Sequence, residues 1–159
     1  MIWKPDVTVA AVVEREGRFL LVEEQVGQAL VINQPAGHLE PNESLLMAAV
    51  RETLEETAWH FKPEALCGIY LWKNAERNVT YLRVAFAGQV TEHFSDRGLD
   101  RGIQRTLWLS RNELIQRSAE LRSLLVLRCI DDYLSGTRYP LDLLTHLVDP
   151  VQFIQSQTA

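Results

Sequence analysis

Alternating apolar and polar residues predict several β-strands in the first part of the chain. The stretches 8–14 (TVAAVVE) and 18–23 (RFLLVE) are separated by the sequence REG at 15–17, and this arrangement is typical of a β-hairpin. Residues 29–33 (ALVIN) predict a third strand, which ends at the sequence QPAG of residues 34–37. Three strands are therefore expected before the first helix.

The pattern changes to a helical period after Pro41. Asn42 is the predicted N-cap, and the helix is expected to continue to about Thr57. Alternation returns at residues 66–72 and 79–90, where we predict two further strands. The first helix thus separates two groups of strands.

The last part of the chain predicts a loop, one strand and two helices. Residues 92–102 form a polar, glycine-containing segment whose length is typical of functional loops. A short strand is expected at 105–110 and helices at 111–118 and 121–134, with Gly136 at the end of the second. Strands mixed with two or three helices, without regular βαβ alternation, predict an α+β fold or an αβα sandwich around a mixed sheet.

Length, composition and charge narrow the class of protein. The 159 residues, 47% hydrophobic and 23% charged, predict one globular domain, with the C-terminal helix and tail from about residue 119 packed on it. The net charge of −5 argues against nucleic acid and anionic membranes as partners. No apolar run approaches the roughly 18 residues of a membrane span. Because Cys67 and Cys129 lack CxxC spacing, we expect reduced thiols in a cytoplasmic protein. We expect the protein to be a monomer or a homodimer.

Three glutamates lie on one face of the predicted helix. Glu52, Glu55 and Glu56 share a face because residues three and four apart are neighbours on a helix. We expect the opposite face to pack on the sheet, and the small Ala48 and Ala49 to leave the carboxylates accessible. That opposite face comprises Leu46, Val50, Thr53, Leu54 and Thr57.

Two interpretations of this acidic face are open. It is either a solvated surface, or a site in which a divalent cation with oxygen ligands converts the mutual repulsion of the carboxylates into binding. Arg51 favours the second interpretation, since we expect it to reach back to Glu43 and brace the helix against the preceding loop. The tight loop at 34–38 contains Gly37, where a backbone carbonyl could approach a metal.

Six of these residues have the spacing of a known motif. The pattern Gly-x5-Glu-x7-Arg-Glu-x2-Glu-Glu, which resembles the Nudix box, is matched by Gly37, Glu43, Arg51, Glu52, Glu55 and Glu56. Two positions depart from the motif: Thr53 stands where the family has an aliphatic residue, and Ala58 stands where it has a glycine. Neither departure removes a carboxylate.

The resemblance extends along most of the chain. The sequences KPDVTVAAVVEREGRFLLVEE, INQPAGHLEPNES, TYLRVAF and SGTRYPLDLL are similar to a phosphatase branch of the Nudix family. This resemblance implies an αβα sandwich and Mg²⁺-dependent hydrolysis, with Mn²⁺ as a substitute. The implied substrates are small pyrophosphorylated molecules: nucleoside tri- and diphosphates, or thiamine and hydroxymethylpyrimidine pyrophosphates, with release of orthophosphate.

The resemblance also implies roles for individual residues. Glu52, Glu55 and Glu56 would bind metal and activate water, and the carbonyl of Gly37 would be an accessory ligand. Arg51 and Glu43 would form a supporting ion pair that orients Glu52. Many members have a further acidic residue four positions before the tryptophan of the late strand, where this chain has Gln104. Candidates for a replacement, of which we prefer Asp100, are Glu92, Asp96 and Asp100.

Candidate substrate-binding residues follow from strand alternation and chemistry. Alternation places Tyr81 and Arg83 on one strand face, where Arg83 could hold phosphate. Tyr81 or Trp72 could stack on a ring, and His38 could bind phosphate or stabilise its loop. The alternatives are a surface arginine and core aromatic residues.

Two other functions fit the same residues. One is hydrolysis of ADP-ribose or a dinucleoside polyphosphate, which would yield two phosphorylated products and no free phosphate. The other is a non-catalytic, nucleotide-sensing domain, to which only Ala58 and Gln104 point and against which the intact carboxylate cluster argues.

Overall fold

Seven strands and three α-helices form the part of the chain that the structure, a computed structural model, describes: residues 2–149. The strands are β1 (Asp6–Arg15), β2 (Arg18–Val26), β3 (Ala29–Asn33), β4 (Ala36–His38), β5 (Trp59–Asn74), β6 (Val79–His93) and β7 (Ile103–Leu109). The helices are α1 (Leu45–Thr57), α2 (Arg111–Gln116) and α3 (Leu125–Leu134), with short 3-10 turns at Ser118–Glu120 and Leu141–Leu143. None of the helices in this part of the chain is long and apolar enough to cross a membrane.

Strand β1 organises the sheet. It runs parallel to β6 along most of its length and pairs antiparallel with β4 through Thr8, Val9 and Ala10. Only its last two residues, Glu14 and Arg15, pair with β2 in the predicted hairpin. The strand order is β3-β2-β1-β6-β5, with β7 on β2. Because β1 and β6 are parallel and the other pairs are antiparallel, the sheet is mixed, as predicted.

Helices cover both faces of the sheet. On one face, Ala48 and Ala49 of α1 pack against buried residues of β1, β5 and β6, such as Phe61 and Phe86. On the other face, α2 and α3 bury residues such as Ile130 against β1, β2 and β6. The architecture is therefore the expected αβα sandwich.

Several element boundaries differ from the sequence-based prediction. Ser44, and not Asn42, caps α1: its hydroxyl accepts the N–H of Met47 at 3.1 Å. Asn42 has a φ of 67° and belongs to the preceding turn, because asparagine tolerates the left-handed region.

Other corrections concern β4, β5 and α3. The predicted loop at 34–38 contains β4, because β1 offers it a pairing edge beyond the end of the hairpin. Strand β5 is longer than predicted and has three register irregularities in its pairing with β6, which interrupt the simple alternation. Helix α3 begins at Leu125, because Leu121 bridges to Ile32 of β3 in extended conformation.

The buried face of α1 is only partly the one predicted. Thr53 and Thr57 are fully buried, as predicted. The other predicted residues, Leu46, Val50 and Leu54, are only partly buried, whereas the two alanines are buried in the core together with Glu52 and Glu56. The alanines therefore do not keep the carboxylates accessible. They let α1 approach the sheet closely, and this packing turns both glutamates inward.

Ala58 ends α1 in a left-handed conformation. Its φ is 58° and its ψ is 16°, and its N–H donates to the carbonyl of Leu54 at 2.9 Å. Glycine is the usual residue at such a position, so Ala58 replaces the motif glycine at the cost of some backbone strain.

We expect Ala58→Gly to change the free energy of unfolding by less than about 1 kcal/mol, because relief of strain is offset by lost methyl burial and greater unfolded-state entropy. Ala58→Val should cost more than about 2 kcal/mol, since a β-branched residue is a strong outlier at positive φ. Urea denaturation of the three proteins measures both effects. Similar stability of all three would contradict the strained turn.

Candidate active site

One cavity of about 550 Å³ brings together most of the candidate residues. Its lining includes seven of them: Gly37, His38, Glu52, Glu56, Trp72, Tyr81 and Arg83. A pocket of this volume is in the range of small-molecule sites. The sequence thus identified residues that are distant along the chain and adjacent in the fold.

Strand register explains why these residues meet. Thr8 of β1 is paired with His38 of β4 on one side and with Arg83 of β6 on the other. Tyr81 lies two residues before Arg83 and is paired with Trp72 of β5. Since side chains two residues apart share a sheet face, the pocket floor is one continuous patch of four strands.

Helix α1 closes the pocket beside β4. The backbone N–H of Ala36 donates to Oε2 of Glu56 at 2.9 Å. A Cβ atom at Gly37 would lie 2.1 Å from the carboxyl carbon of Glu52, far inside a normal contact. Any side chain at position 37 would therefore displace the carboxyl group of Glu52 from its present position.

Arg51 holds the acidic face of α1 together. Its guanidinium donates to both oxygens of Glu43, at 2.7 and 3.0 Å, and to the carbonyl of His38 at 3.0 Å. It also donates to Glu52 at 2.8 Å and to Glu55 at 3.2 Å. The expected reach from Arg51 to Glu43 is present, and it ties the start of α1 to β4.

The site destabilises negative charge on its two inner carboxylates. Burial raises the pKa of Glu56 to about 9, with further raising contributions from Glu52, Glu24 and Asp100. Burial also raises the pKa of Glu52, against the opposing effect of Arg51. The hydrogen bonds from Arg51 instead lower the pKa of Glu43. A bound cation would stabilise the charged form of these two adjacent, buried carboxylates.

The chemistry of these donors fits a hard divalent cation. Glu52, Glu55, Glu56 and the Gly37 carbonyl offer only oxygen, which Mg²⁺ and Mn²⁺ prefer. In the conformation seen, Glu52 and Glu55 are turned towards Arg51 and Glu56 is bonded to Ala36. Accordingly, no three acidic, histidine or cysteine side chains within residues 2–149 are already grouped as a metal site. Arg51 is bonded to one oxygen of Glu52 and to one oxygen of Glu55, and the second oxygen of each carboxylate has no bond to Arg51.

Glu55 and Asp100 lie outside the pocket lining. Glu55 is the more exposed of the helix glutamates, with 32% of its side chain accessible. The N–H of Asp100 donates to the carbonyl of Glu55 at 2.8 Å, which fixes the loop after β6 against the end of α1. Asp100 is therefore near the carboxylates without touching the pocket.

Arg83 is buried under the pocket, and is not a surface residue. Only 6% of it is exposed, and burial lowers the pKa of its guanidinium. It donates to the side-chain carbonyls of Gln34 at 3.2 Å and Asn33 at 3.5 Å. Gln34 in turn donates to the carbonyl of Val126 at 2.8 Å. Neutral amides, and not carboxylates, are thus its hydrogen-bond partners.

The aromatic candidates form one wall of the pocket. The rings of Trp72 and Tyr81 stack with centroids 5.6 Å apart and an interplanar angle of 17°. His38 lies beside Tyr81, 6.5 Å between ring centroids, and its Nε2 is 3.7 Å from Asp6. The wall presents an aromatic surface next to Arg83.

Sequence reasoning missed several polar residues of the lining: Thr8, Glu24, Asn33, Arg122 and Ser123. Thr8 could have been noticed as a polar residue at an inward position of an otherwise apolar strand. Glu24 and Asn33 stand at the ends of apolar strand segments, where polar residues often mark a site. Arg122 and Ser123 lie in the extended segment that was predicted to be helical, which concealed their position.

Comparison with known proteins agrees with this geometry. The NUDIX domain model matches residues 4–127. Phosphatase NudJ of Escherichia coli (strain K12) is 41% identical over 143 residues, which cover 90% of this chain and 92% of that protein.

Solved structures show the same fold. A NUDIX hydrolase from Nitrosomonas europaea is 52% identical and superposes with a TM-score of 0.89 over 91% of this chain and 98% of its own. The NUDIX domain of Shewanella oneidensis NrtR, solved with ADP ribose, shares the fold alone, with 15% identity and a TM-score of 0.67 over 85% of this chain and 90% of that one. The protein therefore belongs to the NUDIX family and is a hydrolase that acts on phosphorus-containing anhydrides.

Proposed function

We propose that this protein is a Mg²⁺-dependent phosphatase that removes the terminal phosphate from nucleoside tri- and diphosphates, or from thiamine and hydroxymethylpyrimidine pyrophosphates. The observation that carries the proposal is a single pocket that joins a buried carboxylate pair, a buried arginine and an aromatic wall. The similarity to a phosphatase over nine-tenths of the chain supports release of orthophosphate. Reduced, buried Cys67 and Cys129 are compatible with action in the cytoplasm.

In this proposal, Glu52, Glu55 and Glu56 hold divalent metal together with the carbonyl of Gly37. The metal, when bound, neutralises phosphate charge and lowers the pKa of water. A glutamate of the cluster accepts the proton of the attacking water. Asp100 is our candidate for a further acidic group.

Arg51 and Glu43 act as a positioning pair. When Glu52 and Glu55 leave Arg51, its guanidinium still has the two oxygens of Glu43 and the carbonyl of His38. Arg51 therefore stays in place while the carboxylates rearrange.

The remaining pocket residues orient the substrate. Arg83 holds the phosphate next to the terminal one, since a buried guanidinium with neutral partners attracts an anion. Tyr81 and Trp72 stack on the ring, and His38 lies at their edge. Stacking tolerates different bases because every base has a π-face.

Metal binding should depend on pH in a defined direction. Because the pKa of Glu56 is about 9 in the folded chain and about 4.3 when unfolded, the folded metal-free protein binds this proton more tightly. Protonated Glu56 therefore stabilises the folded, metal-free protein relative to the unfolded chain. This contribution is complete below about pH 4.3 and is lost as the pH rises towards 9.

Mg²⁺ should therefore raise the melting temperature more at about pH 8.5 than at about pH 6, where Glu56 must first lose its proton. Thermal denaturation with Mg²⁺ or with chelator measures this difference. Hydrolysis should also stop in excess chelator. Full turnover without metal would remove the metal hypothesis.

We expect Glu56→Gln to lower kcat by about 100-fold or more, because the amide keeps the shape but cannot act as a charged ligand or base. The Mg²⁺-dependent rise in melting temperature should largely disappear. Glu64→Gln, on the exposed part of β5, is the matched control and should behave like the wild type. A folded Glu56→Gln protein with normal activity would assign α1 to an ordinary acidic surface.

Product analysis tests which phosphate leaves, and the kinetics of Arg83 variants test the role of that residue. A nucleoside triphosphate should yield orthophosphate and a diphosphate that reacts onward. Arg83→Ala, and the more conservative Arg83→Met, should raise KM for tri- and diphosphates by about 10-fold or more without changing base preference. Pyrophosphate as the first product, or strict preference for one base, would favour a pyrophosphohydrolase instead.

A further inference from the structure

Two buried polar atoms of the pocket floor have no hydrogen-bond partner among residues 2–149: Oγ1 of Thr8 and Nε of Arg83. Buried polar groups are almost always paired, and an unpaired one costs free energy. Both residues are more than nine-tenths buried, with 7% of Thr8 and 6% of Arg83 exposed. Both also line the pocket that contains Glu52 and Glu56.

The two residues are neighbours in the sheet. Thr8 and Arg83 are register partners on the parallel strands β1 and β6, and paired strands lie about 4.8 Å apart. Their side chains therefore emerge side by side on one face. Tyr81, two residues before Arg83, continues that face towards the aromatic wall, and β4 continues it towards the carboxylates.

The chemistry of the pair defines what it can bind. An arginine Nε–H is only a donor, and the threonine hydroxyl can donate as well as accept. Arg83 donates one N–H from each terminal nitrogen, to Gln34 and Asn33, and Nε is the one guanidinium nitrogen without any partner among residues 2–149. The hydrogen-bonded partners of Arg83 are neutral amides, and Glu24, which lines the same pocket, contributes negative charge near the guanidinium; an anionic oxygen at Nε would supply the missing hydrogen bond.

We infer that Thr8 is a substrate-positioning residue whose hydroxyl, together with the Nε–H of Arg83, binds one oxygen of the non-terminal phosphate. This inference rests on the proposed function, since it assigns a second donor to the phosphate that Arg83 holds. It makes the floor of the pocket a two-donor subsite for phosphate oxygen. The free protein keeps both donors unpaired, and the substrate satisfies them.

Thr8→Val distinguishes a ligand-binding role of Thr8 from a purely structural one through two measured quantities, the melting temperature and the ligand affinity. The substitution preserves shape and removes the unpaired hydroxyl, so the melting temperature of the ligand-free protein should rise. Binding of a non-hydrolysable β,γ-imido nucleoside triphosphate with Mg²⁺ should weaken by about 10-fold or more, the scale of one hydrogen bond to a charged group. Thr8→Ser keeps the hydroxyl and should retain nearly wild-type affinity.

Thr57→Val is the matched control. Thr57 is also fully buried, but its hydroxyl donates to the carbonyl of Thr53. Its replacement by valine should lower the melting temperature and leave ligand affinity unchanged. The opposite signs at Thr8 and Thr57 distinguish an unpaired hydroxyl from a paired one.

Calorimetric titration of the same variants with inorganic imidodiphosphate identifies the ligand group. The loss in Thr8→Val should be the same for this base-free probe as for the nucleotide analogue. A loss confined to the nucleotide, or failure of the wild type to bind imidodiphosphate, would overturn the assignment to phosphate. Lower stability of Thr8→Val with unchanged affinity would overturn any contact with ligand. These titrations measure binding and not reaction products. An unexpected leaving group in the hydrolysis experiment would therefore refute the proposed function, whereas the result for Thr8 would still stand.

Discussion

The site depends on the contact between β4 and α1. The absence of a side chain at Gly37 leaves room for the carboxyl group of Glu52 directly against this three-residue strand. The N–H of Ala36 is bonded to Glu56, which fixes the depth of that contact. Among the described strands, β4 pairs with β1, so the same contact links the helix carboxylates to the strand that carries Thr8. A larger residue at position 37 would displace the carboxyl group of Glu52 from its present position.

The sequence predicted the fold well where local pattern and tertiary structure agree. Strand alternation placed Tyr81 and Arg83 on one face, and helical spacing placed Glu52 next to Glu56, because both depend on backbone geometry alone. The prediction of the buried helix face was correct for Thr53 and Thr57 and wrong for the leucines and glutamates. It assumed that charged residues point to solvent, whereas here two glutamates are buried and the leucines are partly exposed. Functional sites are where such rules are expected to fail.

Other parts of the site were beyond local reasoning. The lining contributed by Arg122 and Ser123 depends on where an irregular segment crosses the sheet, and no period reports that. The burial of Arg83 depends on Gln34 and Asn33, which are about 50 residues away in the chain. Alternation gives the face of a side chain but not its depth. The roles of these residues therefore had to be argued from contacts.

The net charge of the protein is −5, which repels anions, yet its proposed substrates are anions. The charges within the pocket offset this repulsion locally. Glu52 and Glu56 offer carboxyl oxygens whose charged form a divalent cation would stabilise, while Arg83 places a buried positive charge in the same pocket. Each group is unfavourable alone: the carboxylates have raised pKa values, and the pKa of the guanidinium is lowered. On the proposed function, a metal-bound pyrophosphate would give the carboxylates a partner through the metal and give Arg83 a partner through a phosphate oxygen. The free energy lost in keeping these groups buried would then be recovered on binding, so we expect a substrate that contacts both groups to bind more tightly than one that contacts either alone.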